Sequence, residues 1–359
     1  RGEGNAYNAI GAALGLKGDY SRAMEYLGKA LQVREGLGLP EHVAETHNNI
    51  GFVYQALGKF PEATQEHLAA LRIFESTGNK SHQARIHMKL GSMLAEVGDY
   101  RASQAHFTQA LALAEEAGNR SIIPDIHSSA GQGYALEGDY TKALEHHFAA
   151  LDAVQESGST SSLAFSYSAI GFTYWHLELY EDAMEYTKKA LGLYDQLESN
   201  EGKCQAYQMI GAIHQVRKEY AQARDNYQKV LALSKEIGSY RYAAGALLDL
   251  AEMDSTQGNF REALGHYKLH IAARDSLQKA ENRSKTTELR MQYDFDKKEA
   301  EAKALAAAEL KKQKLVRNSF VGGFGAMLLF AAVVYRQRNR TKKEKRRAEE
   351  EKERSDRLL

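Results

Sequence analysis

The 359-residue sequence has little that breaks a helix and nothing that could cross-link one: three prolines and a single cysteine, Cys204. The scarcity of proline, with abundant Ala, Leu, Glu and Lys and no alternating β-branched runs, excludes a sheet protein and predicts an all-helical chain. A lone cysteine excludes an internal disulfide and leaves the redox compartment unread. Net charge is also absent, since 47 basic side chains balance 47 acidic ones. The balance is uneven, however: residues 1–280 carry 26 basic and 34 acidic groups, and residues 336–359 carry 11 and 6. An acidic body disfavours nucleic acid as partner. No nucleophile elbow, phosphate loop or metalloprotease motif occurs, so no catalytic residue and no cofactor is assigned.

Long apolar stretches are missing as well, with one exception. Residues 319–335 (SFVGGFGAMLLFAAVVY) form a run of seventeen without a charge, closed by Arg317 before it and Arg336 after it. Taking in its flank, residues 317–335 are predicted to form a transmembrane helix, at the short end of the roughly 17–25 residues a span requires. Eight cations lie between Arg336 and Arg347, against four in the eight residues before Ser319. The richer flank is expected in the cytoplasm, which would place the N-terminal part in the periplasm of a single-pass bacterial inner-membrane protein. The chain opens RGEGNAYNAIG without an apolar leader, so a signal peptide has been removed or the sequence is a fragment.

What the sequence does contain is a period of forty. Gly11, Gly51, Gly91, Gly131, Gly171, Gly211 and Ala251 share one register, followed nine residues later by Tyr20, Phe60, Tyr100, Tyr140, Tyr180, Tyr220 and Phe260. Ala23, Ala63, Ser103, Ala143, Ala183, Ala223 and Ala263 come three further on. Gly-Asp or Gly-Lys pairs such as Gly18-Asp19 and Gly58-Lys59 predict the end of a first helix and the cap of a second, and Pro61 falls in a first turn where proline is tolerated. Ser81, Ser121 and Ser161 are expected to open the next first helices. Glu178-Leu179 and Lys218-Glu219 replace Gly-Asp in units five and six, so those turns are expected to be tighter or strained. The seven units resemble the tetratricopeptide repeat in a forty-residue form, over about residues 1–280. The resemblance implies paired helices stacked into a curved, all-α superhelical solenoid.

That resemblance also implies a partner groove lined by the first helix of each pair. Carried over, it gives Asn8 in unit one; Glu45, Asn48, Phe52 and Gln55 in unit two; and Arg85 in unit three. It continues with Asp125 and Gln132 in unit four, Phe165, Phe172 and Trp175 in unit five, and Gln208 in unit six. Such grooves hold peptide or protein segments, and the aromatic group around Trp175 is the expected anchor unless Trp175 only packs between repeats. Thirteen histidines invite a metal site, but His47, His87 and His127 share a register with Tyr7, Tyr167 and Tyr207, which marks a packing position for a planar ring. Metal ligation is therefore not expected.

Residues 281–316 read as a helical stalk with a possible coiled coil, and residues 336–359 as a charged juxtamembrane helix. Ser319, Gly322, Gly323 and Ala326 form small-residue pairs four apart, the expected face for homodimerisation of the apolar helix. The order of repeat array, YxFxKKEAEAKAL stalk, apolar run, basic patch and EKERSDRLL tail resembles membrane receptors of Bacteroidetes-type bacteria. In these a class III adenylate/guanylate cyclase domain follows, or in close relatives a histidine kinase. The resemblance implies the sensor half of such a receptor, not itself an enzyme, that binds a protein or peptide and signals to an absent output domain. The alternatives are a histidine-kinase sensor half, a tethered scaffold without output, or an adaptor of reversed topology.

Overall fold

The computed structural model describes residues 2–157 and 159–356. Among them it places fourteen α-helices and one short 3-10 turn and no strand. The chain divides into two compact units, Arg1–Gln292 and Tyr293–Leu359. In the first, helices alternate as first and second members of seven pairs. The pairs are α1 (Gly2–Leu16) with α2 (Tyr20–Gly36), α3 (Pro40–Ala56) with α4 (Phe60–Ser76), α5 (Lys80–Glu96) with α6 (Tyr100–Glu116), and α7 (Ile123–Glu137) with α8 (Tyr140–Ser157). Then come α9 (Thr160–His176) with α10 (Tyr180–Gln196), α11 (Asn200–Val216) with α12 (Tyr220–Glu236), and α13 (Tyr240–Thr256) with the opening of α14 (Phe260–Asp356). From α1 to α12 each helix packs on its pair-mate, and each second helix from α2 to α12 packs on the first helix of the next pair, as a solenoid requires.

The forty-residue register explains the packing. Its glycine stands opposite a side chain sixteen residues on: a Cβ added to Gly91 would lie 2.9 Å from Phe107 Cε1, and one on Gly211 2.7 Å from Tyr227 Cε1. A bare Cα is what lets a ring of the second helix lie against the first. Ala23, Ala63, Ala143, Ala183 and Ala223 are fully buried in the same seam. Where unit three has serine instead, Ser103 Oγ donates to the Gly91 carbonyl at 2.7 Å, so the hydroxyl is buried without penalty.

The turns follow the sequence in part. Asp19, Asp99 and Asp139 cap α2, α6 and α8 by accepting from the backbone N–H three residues on. The first helices α5 and α9 are capped by Asn79 and Ser159, two residues before the expected Ser81 and Ser161. Glu178 and Lys218 are not in tighter turns. They take the same left-handed conformation as the glycines they replace, at φ 59° and 63°, and Glu198 does so at 51°. A side chain there is strained, as expected, because its Cβ crowds the neighbouring carbonyl.

The second unit, from Tyr293, is the remainder of α14. Here the sequence expectation is corrected. Among the described residues no helix is long and apolar enough to cross a membrane. The all-α solenoid stands, but the transmembrane helix over 317–335 and the single-pass inner-membrane placement do not. The physical reason is length and composition: seventeen residues rise about 25 Å, short of a hydrocarbon core of about 30 Å, and three of them are glycine. Ser319, Gly322, Gly323 and Ala326, the expected dimer face, have side chains outside the described residues.

Candidate functional site

The solenoid holds a cavity of about 580 Å³ built by five consecutive helices, α7 to α11. Gln132, Ala135 and Leu136 come from α7, Tyr140 and His147 from α8, Phe165, Ser168, Ala169, Phe172 and His176 from α9, Thr187 from α10, and Gln205, Ala206 and Met209 from α11. Its cause lies in one register position. Side chains at 27, 67, 107, 147 and 227 are Leu, His, Phe, His and Tyr, each against the glycine of its pair-mate; at 187 the residue is Thr. Thr187 packs on Gly171 in the same way but lacks the bulk of a ring, and space opens beside it.

The mouth is aromatic. Tyr140 and His176 stack at 4.5 Å and 6°, and Phe172 meets His176 edge-on at 4.5 Å and 65°. Phe165 and Phe172 remain 45% and 46% exposed, which leaves them free to cover a ligand. No Asp, Glu, Lys or Arg lines the cavity. His147, 3% exposed, is held neutral: burial, and secondarily His146 beside it, push its imidazole down to about 4.

A second, smaller pocket of about 170 Å³ gathers Asn8, Glu45, Asn48, Asn49, Phe74, His82, Arg85 and Ile86 from α1, α3, α4 and α5. It is polar. Asn49 Nδ2 donates to Asn8 Oδ1 at 3.1 Å, Asn48 Oδ1 is buried without a partner, and Glu45 lies 3.6 Å from the buried Arg34. Next to Arg85 on α5, the Lys89 ammonium lies 6.0 Å over the Phe52 ring. Burial, and then the charge of Arg85, push its pKa down.

Four of the sequence-derived groove residues, Asn8, Glu45, Asn48 and Arg85, thus meet in the polar pocket, and three, Gln132, Phe165 and Phe172, in the apolar cavity. Trp175 joins neither. It is half-buried, edge-on to Tyr180 at 5.2 Å, and packs with the cluster of Ala183, Met184, Ile210 and Ile213. Phe52 and Gln55 line neither pocket, and Asp125 is exposed in the first turn of α7. Gln208 Nε2 donates to Asp249 Oδ2 at 2.9 Å, opposing the burial that pushes this carboxyl up to about 6. The sequence-derived groove omits Tyr140, His147 and Thr187; the odd Thr in an otherwise bulky register is the signal that could have found them.

The histidine register pairs each first helix with its second. His87 Nδ1 meets His106 Nδ1 at 2.8 Å, His127 Nδ1 meets His146 Nδ1 at 3.0 Å, and His47 Nδ1 meets Glu66 Oε2 at 2.6 Å. These are helix-to-helix contacts. Among the described residues no group of three or more His, Cys, Asp or Glu could hold a metal ion.

A profile of the tetratricopeptide repeat family matches residues 42–116, 123–196 and 203–276, and a second profile of the same repeat matches 4–44. None of the curated proteins compared matches the sequence. Several solved structures share the fold. The apo form of RapI is 19% identical, with a TM-score of 0.60 over 77% of this chain and 99% of its own. The Rap conjugation gene regulator of plasmid pLS20, solved in complex with the Phr* peptide, is 17% identical with a TM-score of 0.54 over 76% and 74%. A signal transduction ATPase from Pyrococcus horikoshii, with a tetratricopeptide repeat sensor, is 17% identical with a TM-score of 0.62 over 79% of this chain and 44% of that one.

Proposed function

The chain belongs to the tetratricopeptide repeat family, and from that membership we propose that it acts by binding a peptide or protein segment in the cavity between α7 and α11. The observation that carries this is the cavity itself: about 580 Å³, aromatic at the mouth and free of charged lining. Binding pockets fall at roughly 300–1,000 Å³ and are apolar with a few placed polar groups. A solenoid of the same fold, the pLS20 Rap regulator, was solved with a peptide, which supports a peptide here. The charge-free lining selects an uncharged segment, because an ion entering it would lose its hydration without a partner. The polar pocket around Asn48 and Arg85 is a second contact for the same partner. A role as the input half of a cyclase or histidine-kinase receptor would use this binding step, and rests on the resemblance in the order of repeat array, stalk, basic patch and tail.

The test is selection of a displayed library of twelve-residue peptides on the full chain, with Thr187→Phe as the counter-target. Phe107 already occupies this register in α6, so the variant is expected to fold. Uncharged apolar sequences should be enriched, and their affinity should drop by tenfold or more on Thr187→Phe at unchanged Tm. No enrichment, or equal binding to the filled variant, would overturn the reading.

A further inference from the structure

The register that opens the cavity also says what shape is missing from it. Along the second helices, position 67 holds a histidine ring, 107 a phenyl ring, 147 a histidine ring and 227 a phenol, all buried. Position 27 holds a bulky leucine instead of a ring, whereas at 187 the small Thr187 leaves the ring's place open between the His147 and Tyr227 repeats. A planar ring entering from the mouth meets the same kind of surroundings as the rings the fold itself buries.

Polar atoms along this column are treated unevenly. The Tyr227 hydroxyl donates to Gln215 Oε1 at 2.8 Å. Both ring nitrogens of His67 are buried without a partner. His147 is 3% exposed and lines the cavity, and its ring nitrogens, unlike those of His67, are not among the fully buried atoms without a partner. A polar ring in the lining of an otherwise apolar cavity is poised to bond an occupant, because an occupant that displaces water without bonding it would leave the ring unsatisfied. As a neutral imidazole it offers one N–H donor and one lone-pair acceptor. Thr187, 4% exposed, adds a buried hydroxyl to the same lining.

We propose that the cavity takes an aromatic side chain with an uncharged polar tip, a tyrosine phenol or a tryptophan indole, and that His147 is the residue that bonds this tip. The inference rests on the binding reading above and adds the class of side chain and the group that selects it. Phenylalanine would fill the same space but leave His147 unpartnered, so a tip-bearing ring is preferred. A carboxylate, ammonium or guanidinium is rejected, because no opposite charge lines the site.

The test uses p-cresol and toluene, the side-chain analogues of tyrosine and phenylalanine, titrated into the full chain. The wild-type protein should bind p-cresol about five- to tenfold more tightly than toluene, the range one net hydrogen bond supplies. His147→Phe, a ring that Phe107 already carries in the same register, should bring that ratio to about one while toluene affinity stays unchanged, and Thr187→Phe should lose both probes. Independently of any variant, the ring ¹⁵N resonances of His147 in the wild-type protein should shift with p-cresol and not with toluene. Equal affinities for the two probes, a preference that survives His147→Phe, or unmoved ¹⁵N resonances would overturn the inference. If neither probe binds while library peptides do, the inference fails and the binding reading stands; if neither probes nor peptides bind, both fail.

Discussion

A Cβ added to Gly51 would lie 2.8 Å from Cε1 of His67, so the imidazole fits between α3 and α4 only because the facing residue has no side chain. The ring is fully buried and both of its nitrogens lack partners. The pair shows how the array balances tight helix approach against an imperfect filler.

Replacing that filler should help. His67→Phe keeps a planar ring in a register where Phe107 already packs, and removes two unpartnered polar atoms. An increase of about 1–2 kcal/mol in unfolding free energy is expected. Gly51→Ala should cost about 1–3 kcal/mol through overpacking. Urea denaturation of both variants measures the two effects.

Acid should destabilise the solenoid through its buried imidazoles. Burial pushes His67 and His147 down to about 4, whereas the unfolded chain titrates near 6.5. Below 6.5 the unfolded state takes up protons that the folded state refuses. The contribution of each ring is therefore full above about pH 6.5, is lost progressively as pH falls, and is gone below about 4. Each ring contributes at most about 3 kcal/mol. The urea midpoint followed from pH 7.5 to 4 should fall, and the fall should be visibly shallower in His67→Phe.

Glu178, Glu198 and Lys218 hold left-handed backbone that elsewhere in the array belongs to glycine. Each substitution to glycine relieves the Cβ crowding but enlarges the unfolded ensemble, leaving a net gain of about 0.5–1 kcal/mol. Thermal unfolding of the single and triple variants should show Tm rising additively, since the three turns lie in separate connections.

Asp254 is fully buried on α13, paired with Arg224 of α12 and, at 2.8 Å, with His266 Nδ1 of α14. Neutralising it strands the guanidinium and unties the last pair of helices. Asp254→Asn is expected to cost about 3 kcal/mol. Amide exchange should show the loss first in α13 and the opening turns of α14, ahead of α3 to α6.

The forty-residue architecture was readable because its cues are local. The glycine register, the Asp19-type caps and Pro61 each determine a turn or a close approach within one unit. Ser81 and Ser161 misled because a cap depends on where the chain leaves its left-handed turn, and that point lies two residues earlier, at Asn79 and Ser159. The groove was only partly readable. First-helix positions such as Phe165, Phe172 and Asn48 follow from the family resemblance carried over in register, whereas Tyr140, His147 and Thr187 come to the cavity from second helices. Its volume depends on Thr187 being small among bulky equivalents, a comparison across repeats that no single unit displays. Trp175 drew attention by composition, yet its ring is taken up by Tyr180 and the Met184 cluster. The run over 319–335 has the absence of charge of a span without the length, and three of its residues are glycine.

The non-glycine turns at Glu178, Glu198 and Lys218 join α9 to α10, α10 to α11 and α11 to α12, and three of the five cavity helices, α9, α10 and α11, meet at these joints. In mechanical terms the array has uneven rivets, with the softest ones around its hold. Under tension applied to the first unit, extension should begin at these joints and spill the occupant before the outer repeats yield.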